Sequence, residues 1–474
     1  MRSTIIRRVF LSLTCTLSAS LSQNGHALAH ASERGHVLLL PTQFYMLGGA
    51  IAVAASFLAL AFLPPLPLMR LFSRRVSLGK VPFDGRAQTS FLSFLLYVGL
   101  LYAGVSGSRD PLANPLPLTI WTLLWVGLTL VQGLLGNLWA WLNPWYGPWR
   151  LFVRLTGRSG WFHLPEKLGY RAAVLLFLAF AWFELVYIAP DDPARLAAAA
   201  LAYWVMTFMG ICLFGFKAWT SRVEFLSVFF RMLSRLSLFQ ARFETGGFQL
   251  SLGLPGAKLA NIEPLPLSGV AFLLLALSTV SFDGFMRSFV WLDLIRVNPL
   301  EFPGRSAVVV ENSVGLVASF LVLGAFFAVA VWLGERLAGA RSWYRAAGLL
   351  VWSITPIALA YHFSHYLTAL LVNGQYAVAA LSDPFSLGWN LFGTAIPHVR
   401  AGLTTGAASA WAIWNAQAAA IVLGHVLAVM LAHALAYRVY GTNRRVAASQ
   451  LPMAILMISY TLFGLWLLST PTAG

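Results

Sequence analysis

Ten apolar stretches, each long enough to cross a bilayer, recur along this 474-residue chain and limit its fold more than any motif does. A hydrocarbon core of about 30 Å takes roughly 20 apolar residues of helix. Inside it, only helices or closed barrels satisfy their own backbone polar groups. The first five stretches run Phe44–Leu63, Ser90–Gly107, Pro117–Leu142, Leu168–Ala189 and Ala194–Phe216. The second five run Pro266–Phe282, Ser306–Gly334, Tyr344–Val372, Trp411–Tyr437 and Ser449–Ser469. Continuous apolar runs of this length read as helices, so the expected fold is all-α: a polytopic membrane bundle of about ten transmembrane helices. With 59% hydrophobic and 10% charged residues, the chain has no stretch with the composition of a separate soluble domain.

Met1–Ala29 reads as a signal peptide. Arg2, Arg7 and Arg8 open it, Val9–Leu21 is mostly apolar, and Ala27-Leu28-Ala29 is a small-residue cleavage pattern. Residues 30–474 then form one transmembrane domain, with His30 as the first mature residue. The 32 Lys and Arg residues test the direction of threading. If the mature N-terminus is outside, alternating loops place 22 on the inner side and 7 on the outer, with 3 in the leader. That is the positive-inside bias expected of a bacterial inner-membrane protein with periplasmic N- and C-termini. The net charge of +16 is therefore a matter of topology, and no nucleic-acid partner is expected. Two inner connections carry basic residues at helical spacing: Arg150, Arg154 and Arg158 in Trp149–Ser159, and Arg231, Arg235 and Arg242 in Arg222–Phe243. Both read as amphipathic helices on the cytoplasmic interface, facing anionic head groups.

The polar residues at membrane depth are where function is expected, because ionisable groups are costly there. His362 and His365 fall in the outer half of the eighth stretch, three residues apart and on one broad face. Two such imidazoles can share a divalent ion, Zn or Cu. On depth, His425 of the ninth stretch is the natural third ligand, and His30 would offer its amine and imidazole together. His433 lies deeper and reads as a packing histidine that donates to a carbonyl. Asp283, Glu184 and Glu311 approach the same level from other stretches and are the candidate base or supporting carboxylates. Haem held between His362 or His365 and His425 is a further possibility. Two cysteines, Cys15 and Cys212, make no disulfide framework. Nucleotide-binding loops, H-E-x-x-H, C-x-x-C and the G-x-S-x-G elbow are absent from the sequence.

Three stretches resemble the integral-membrane bacterial fenitrothion hydrolase-like family. The first is Gly136-Asn137-Leu138-Trp139 running into Leu142-Asn143-Pro144-Trp145. The second is Ser281-Phe282-Asp283-Gly284-Phe285. The third is Ala360-Tyr361-His362-Phe363, continuing through Gly374-Gln375 and Ser382-Asp383-Pro384 to Gly388-Trp389-Asn390-Leu391-Phe392-Gly393-Thr394 and Gly424-His425-Val426. A leader ending at Ala29 before His30 also fits. The resemblance implies hydrolysis of an organophosphate triester to a phenol and a dialkyl thiophosphate. Joined to the residues above, it suggests metal-assisted attack on a small hydrophobic substrate at a periplasm-facing histidine site. The alternative is a non-enzymatic protein that handles copper through the same histidines.

Overall fold

The computed structural model describes residues 42–62, 65–259, 261–394 and 406–470. Met1–Ala29, where a signal peptide is expected, and His30 lie outside the described residues. The chain is a helical membrane bundle, and nine helices among the described residues are long and apolar enough to cross a bilayer. Helix α1 spans Thr42–Phe62, followed by a short α2 at Pro65–Ser73 and a strand, β1, at Arg75–Val81. Helix α3 spans Arg86–Ser106. Next comes α4, Pro115–Leu134, which starts where Asn114 accepts Leu116 N–H at 3.0 Å and Pro115 takes the first helical position. Its middle, Leu118–Leu128, winds as a wider π-helix, in which each amide reaches five residues back.

Tyr146–Thr156 forms α5, with Leu151 and Leu155 exposed, in keeping with the interfacial helix expected there. The fourth expected crossing is cut short. Helix α6 covers only Arg171–Leu185, 15 residues, or about 22 Å at 1.5 Å per residue. Helix α7, Pro193–Phe214, follows at once, capped by Asp192 on Arg195 N–H at 3.0 Å.

The second basic connection differs from its expected form. Instead of one interfacial helix over Arg222–Phe243, it holds a short helix α8, Phe225–Leu233, and then strands β2, Phe239–Glu244, and β3, Gly247–Gly253. Most of α8 is buried, including Phe225, Phe229, Phe230 and Leu233. Arg231 does not stand on an exposed basic face; it is half-buried, and its guanidinium donates to the carbonyls of Thr220 and Ser221. The strand follows from alternation: Phe239, Ala241 and Phe243 interleave with Gln240, Arg242 and Glu244, and Gly246 at φ +82° turns the chain back. Strand β1 joins on the other edge, giving an antiparallel sheet of order β1-β3-β2 with Arg75 opposite Gly253 and Glu244 opposite Gly247. Gly247 is required by proximity, since a Cβ there would lie 2.0 Å from Val81 O.

The remaining helices are α9, Leu267–Met286, α10, Val309–Ala338, and α11, Trp343–Ser382. The last of these tightens to a 3₁₀ turn at Val351–Ser353, just before Pro356. Helices α12, Ala407–Tyr440, and α13, Asn443–Ser469, complete the bundle. Helices α9 and α11 are buried along most of their length and form its centre, whereas α1, α3 and α10 expose Leu58, Leu96, Leu321 and Phe326. Apolar side chains facing outward along entire helices are what a lipid solvent selects.

Candidate functional site

Four elements meet in the half of the bundle away from the sheet: the end of α6, the last turn of α9, the middle of α11 and the π-wound part of α4. Asp283 sits in the last turn of α9 and is 2% exposed. His365 Nε2 of α11 lies 2.7 Å from Asp283 Oδ2, and the Tyr366 hydroxyl donates to the same oxygen at 2.9 Å. Arg287, one turn on from Asp283, pairs its Nη2 with Oδ1 at 3.0 Å. Both oxygens of the buried carboxylate are therefore engaged by charged or donating groups, as an ion at this depth requires.

Glu184 joins through Tyr366, whose hydroxyl stands 3.2 Å from Glu184 Oε1. One phenol proton lies between two carboxylates, so both contacts are complete only with a further proton shared among the three. The shortness of α6 matters here. Its unpaired terminal carbonyls take Arg305: Nη1 donates to Glu184 O at 2.9 Å and to Tyr187 O at 3.4 Å. Helix ends otherwise leave such acceptors orphaned.

His362 occupies the neighbouring sector of α11. Its Nε2 meets Trp125 O at 2.9 Å, a carbonyl that also accepts the Thr129 hydroxyl. Its ring stands 5.3 Å from the Trp125 ring and 4.8 Å from that of Tyr366. His362 thus braces the site against α4 and does not turn toward a ligand shared with His365. His425 is fully buried, with Nδ1 2.8 Å from Ile421 O of its own helix. Its ring neighbours are Tyr361, at 6.2 Å, and Tyr460, at 6.5 Å, and no described contact joins it to His362 or His365. His433 is buried further along α12. Glu311 is exposed in the first turn of α10, where a carboxylate complements the helix dipole.

The sequence-derived set therefore divides. His365, Asp283 and Glu184 are brought together; His425 and Glu311 lie elsewhere, and His362 stands alongside. Tyr366, Arg287 and Arg305 complete the cluster and were not singled out from the sequence. Arg287 had a signal, because Asp283 and Arg287 stand four residues apart with the acid first. Tyr366 had none, since its role depends on the spacing between helices. Among the described residues, no three His, Cys, Asp or Glu side chains are grouped as a metal site needs.

A cavity of about 250 Å³ adjoins the cluster, lined by Trp121, Trp125, Glu184, Arg287, His365 and Trp414 among others. With Nε2 committed to Asp283, the remaining nitrogen of His365, Nδ1, bonds to no described residue. If the Nε2 proton points to the carboxylate, Nδ1 carries the lone pair. A carboxylate thus fixes the tautomer of an imidazole at the edge of a space large enough for a small molecule. Such a ring can take a proton or offer a ligand nitrogen. Compared with protein-family models, curated proteins and solved structures, the chain matches none of them.

Proposed function

We propose that this membrane protein hydrolyses a small, uncharged, hydrophobic phosphotriester, the class of reaction implied by the fenitrothion hydrolase-like resemblance, with His365 as general base. The carrying observation is the 2.7 Å pairing of His365 Nε2 with a buried, arginine-bound Asp283, which leaves Nδ1 as the basic nitrogen of a ring lining the cavity. In this reading a water gives its proton to Nδ1 as its oxygen bonds to phosphorus. The phosphorus–aryloxy bond breaks, and the departing aryl oxide recovers the proton from the imidazolium. Asp283 holds the ring and stabilises its charged form. Arg287, which also lines the cavity, places positive charge beside the oxygens that become negative. Trp121, Trp125 and Trp414 supply apolar walls suited to an aromatic leaving group. The protein sits in a bacterial inner membrane with this cavity toward the periplasm.

The same pairing favours a second reading. A carboxylate behind an imidazole is also how metal-bound histidines are oriented, so Nδ1 would be one ligand to a zinc or copper ion, for hydrolysis or for copper handling. Detergent-purified protein offered an aryl phosphotriester that releases nitrophenol separates the two, with metal content measured alongside. Turnover that falls at least a hundredfold in His365→Gln and persists without bound metal supports the base. Bound copper without turnover, lost in the same variant, supports the second reading. Turnover that His365→Gln leaves intact removes His365 from the chemistry altogether.

A further inference from the structure

At the sheet end of the bundle, away from His365, a second cavity of about 410 Å³ opens where α6 and α9 begin. Tyr170, Arg231, Arg235, Lys258, Glu263 and Trp352 are among the residues that line it. Among the described residues none of its cations forms an ion pair with a carboxylate; the buried Glu224 acts on Arg231 from a distance, and no carboxylate acts on Arg235 or Lys258. Arg231 is spent on the carbonyls of Thr220 and Ser221. Lys258 Nζ donates to Ser234 O at 3.0 Å, Ser237 Oγ at 2.7 Å and Phe239 O at 2.7 Å, all uncharged acceptors. Arg75, close by, donates to Gln240 and to Ala257 O. The Arg235 guanidinium makes no hydrogen bond or ion pair with any described residue. Glu263 is exposed at the rim and forms no ion pair with these groups. Burial, together with Arg235 and Arg75, brings the Lys258 ammonium down to about 7, a sign of like charges gathered without a counter-ion.

Several half-buried cations held by neutral acceptors around a cavity are costly unless an anion enters it. The position narrows the choice. The lining residues Leu265 and Pro266 lead directly into α9, and Tyr170 leads into α6, so the space lies at the depth of lipid head groups. Basic pockets at such depth on the positive side of a membrane protein suit phosphate-bearing head groups. We infer that this cavity binds a phosphate group through the guanidinium of Arg235, within the positive field of Arg231 and Lys258. A planar guanidinium with its donors uncommitted matches two phosphate oxygens at once. Two sources share that chemistry: the head group of an anionic phospholipid and free phosphate.

The inference is independent of the His365 site and is tested without reference to activity. Purified full-length protein is delipidated and given dioleoyl phosphatidylglycerol, dioleoyl phosphatidylcholine or inorganic phosphate, with retention read by native mass spectrometry and by the shift in thermal unfolding. Arg235→Gln is the test variant, because Arg235 bonds nothing whose loss would unfold the chain. Arg242→Gln, an exposed cation on β2 outside the cavity lining, is the control. Retention of phosphatidylglycerol over phosphatidylcholine, about tenfold weaker in Arg235→Gln and unchanged in Arg242→Gln, supports a lipid head group. The same dependence on inorganic phosphate supports the soluble anion. Retention of neither, or retention that Arg235→Gln leaves unchanged, overturns the inference.

Discussion

Asp283 has two oxygens and three partners, and the two kinds of partner have separable consequences. Arg287 balances its charge, so removing the arginine leaves a carboxylate that is 2% exposed without its ion. Breaking a buried pair from one side costs about 3–5 kcal/mol; with Arg287 itself 37% exposed, Arg287→Leu should fall at or below the low end of that range, read as earlier thermal unfolding in detergent. His365 and Tyr366 are positioned by Asp283 rather than holding it in place. Asp283→Asn should therefore preserve the fold while releasing the tautomer of His365, lowering any His365-dependent turnover by roughly 10²–10⁴-fold. Unchanged turnover in Asp283→Asn, in protein that unfolds at the normal temperature, would count against the pairing as the working part. The sequence made His365 and Asp283 visible as ionisable residues at membrane depth but paired His365 with His362, whose ring meets a different neighbour. A three-residue step is about 60° short of a full turn, close enough to read as one face. That angle is also wide enough for one ring to meet Trp125 O on α4 while the other meets Asp283 on α9.

The long helices were legible because membrane solvation demands unbroken apolar runs. The exceptions arise where another demand prevails. Helix α6 stops early at Leu185 with Arg305 bound to its last carbonyls, an arrangement that depends on a residue over a hundred positions away. The stretch through Phe239–Glu244 reads as helix when its arginines are followed and as strand when its phenylalanines are. The hairpin with β3 and the pairing of β3 with β1 decide for the strand. Between α11 and α13, contact depends on one small residue. A Cβ at Gly464 would lie 1.8 Å from the Tyr361 hydroxyl, which donates to Tyr460 O at 2.7 Å. Gly464→Ala should cost about 1–3 kcal/mol by forcing the helices apart. The ring carbon Cζ of Tyr361 would lie only 2.2 Å from the same Cβ, so Tyr361→Ala, which removes ring and oxygen together, relieves the clash, and the double variant should be less destabilised than the two single losses added together. Strict additivity in thermal unfolding would mean that the two residues do not meet.

At the scale of the molecule, the sheet and one ion pair constrain which connections share a side. Strand β1 follows the first crossing and strands β2 and β3 follow the fifth, so their pairing requires those two connections to lie on one side of the membrane. Arg109 and Asp192, in the connections after the second and fourth crossings, pair at 2.9 Å on the other side. Both facts agree with the ten alternating passes inferred from the sequence, including the short α6. Neither says which end faces the cytoplasm. That choice rests on the arginine and lysine asymmetry alone, which predicts the sheet inside. Single cysteines placed in a Cys15→Ser, Cys212→Ser background read it directly. Lys80, on β1, and Leu387, in the turn after α11, are both exposed and lie at opposite ends. A membrane-impermeant maleimide added to spheroplasts should modify Leu387→Cys at once and Lys80→Cys only after the membrane is opened. The reverse pattern would turn the protein over and face the His365 cavity to the cytoplasm. Modification of both from one side would break the alternation itself, and with it the ten-pass threading.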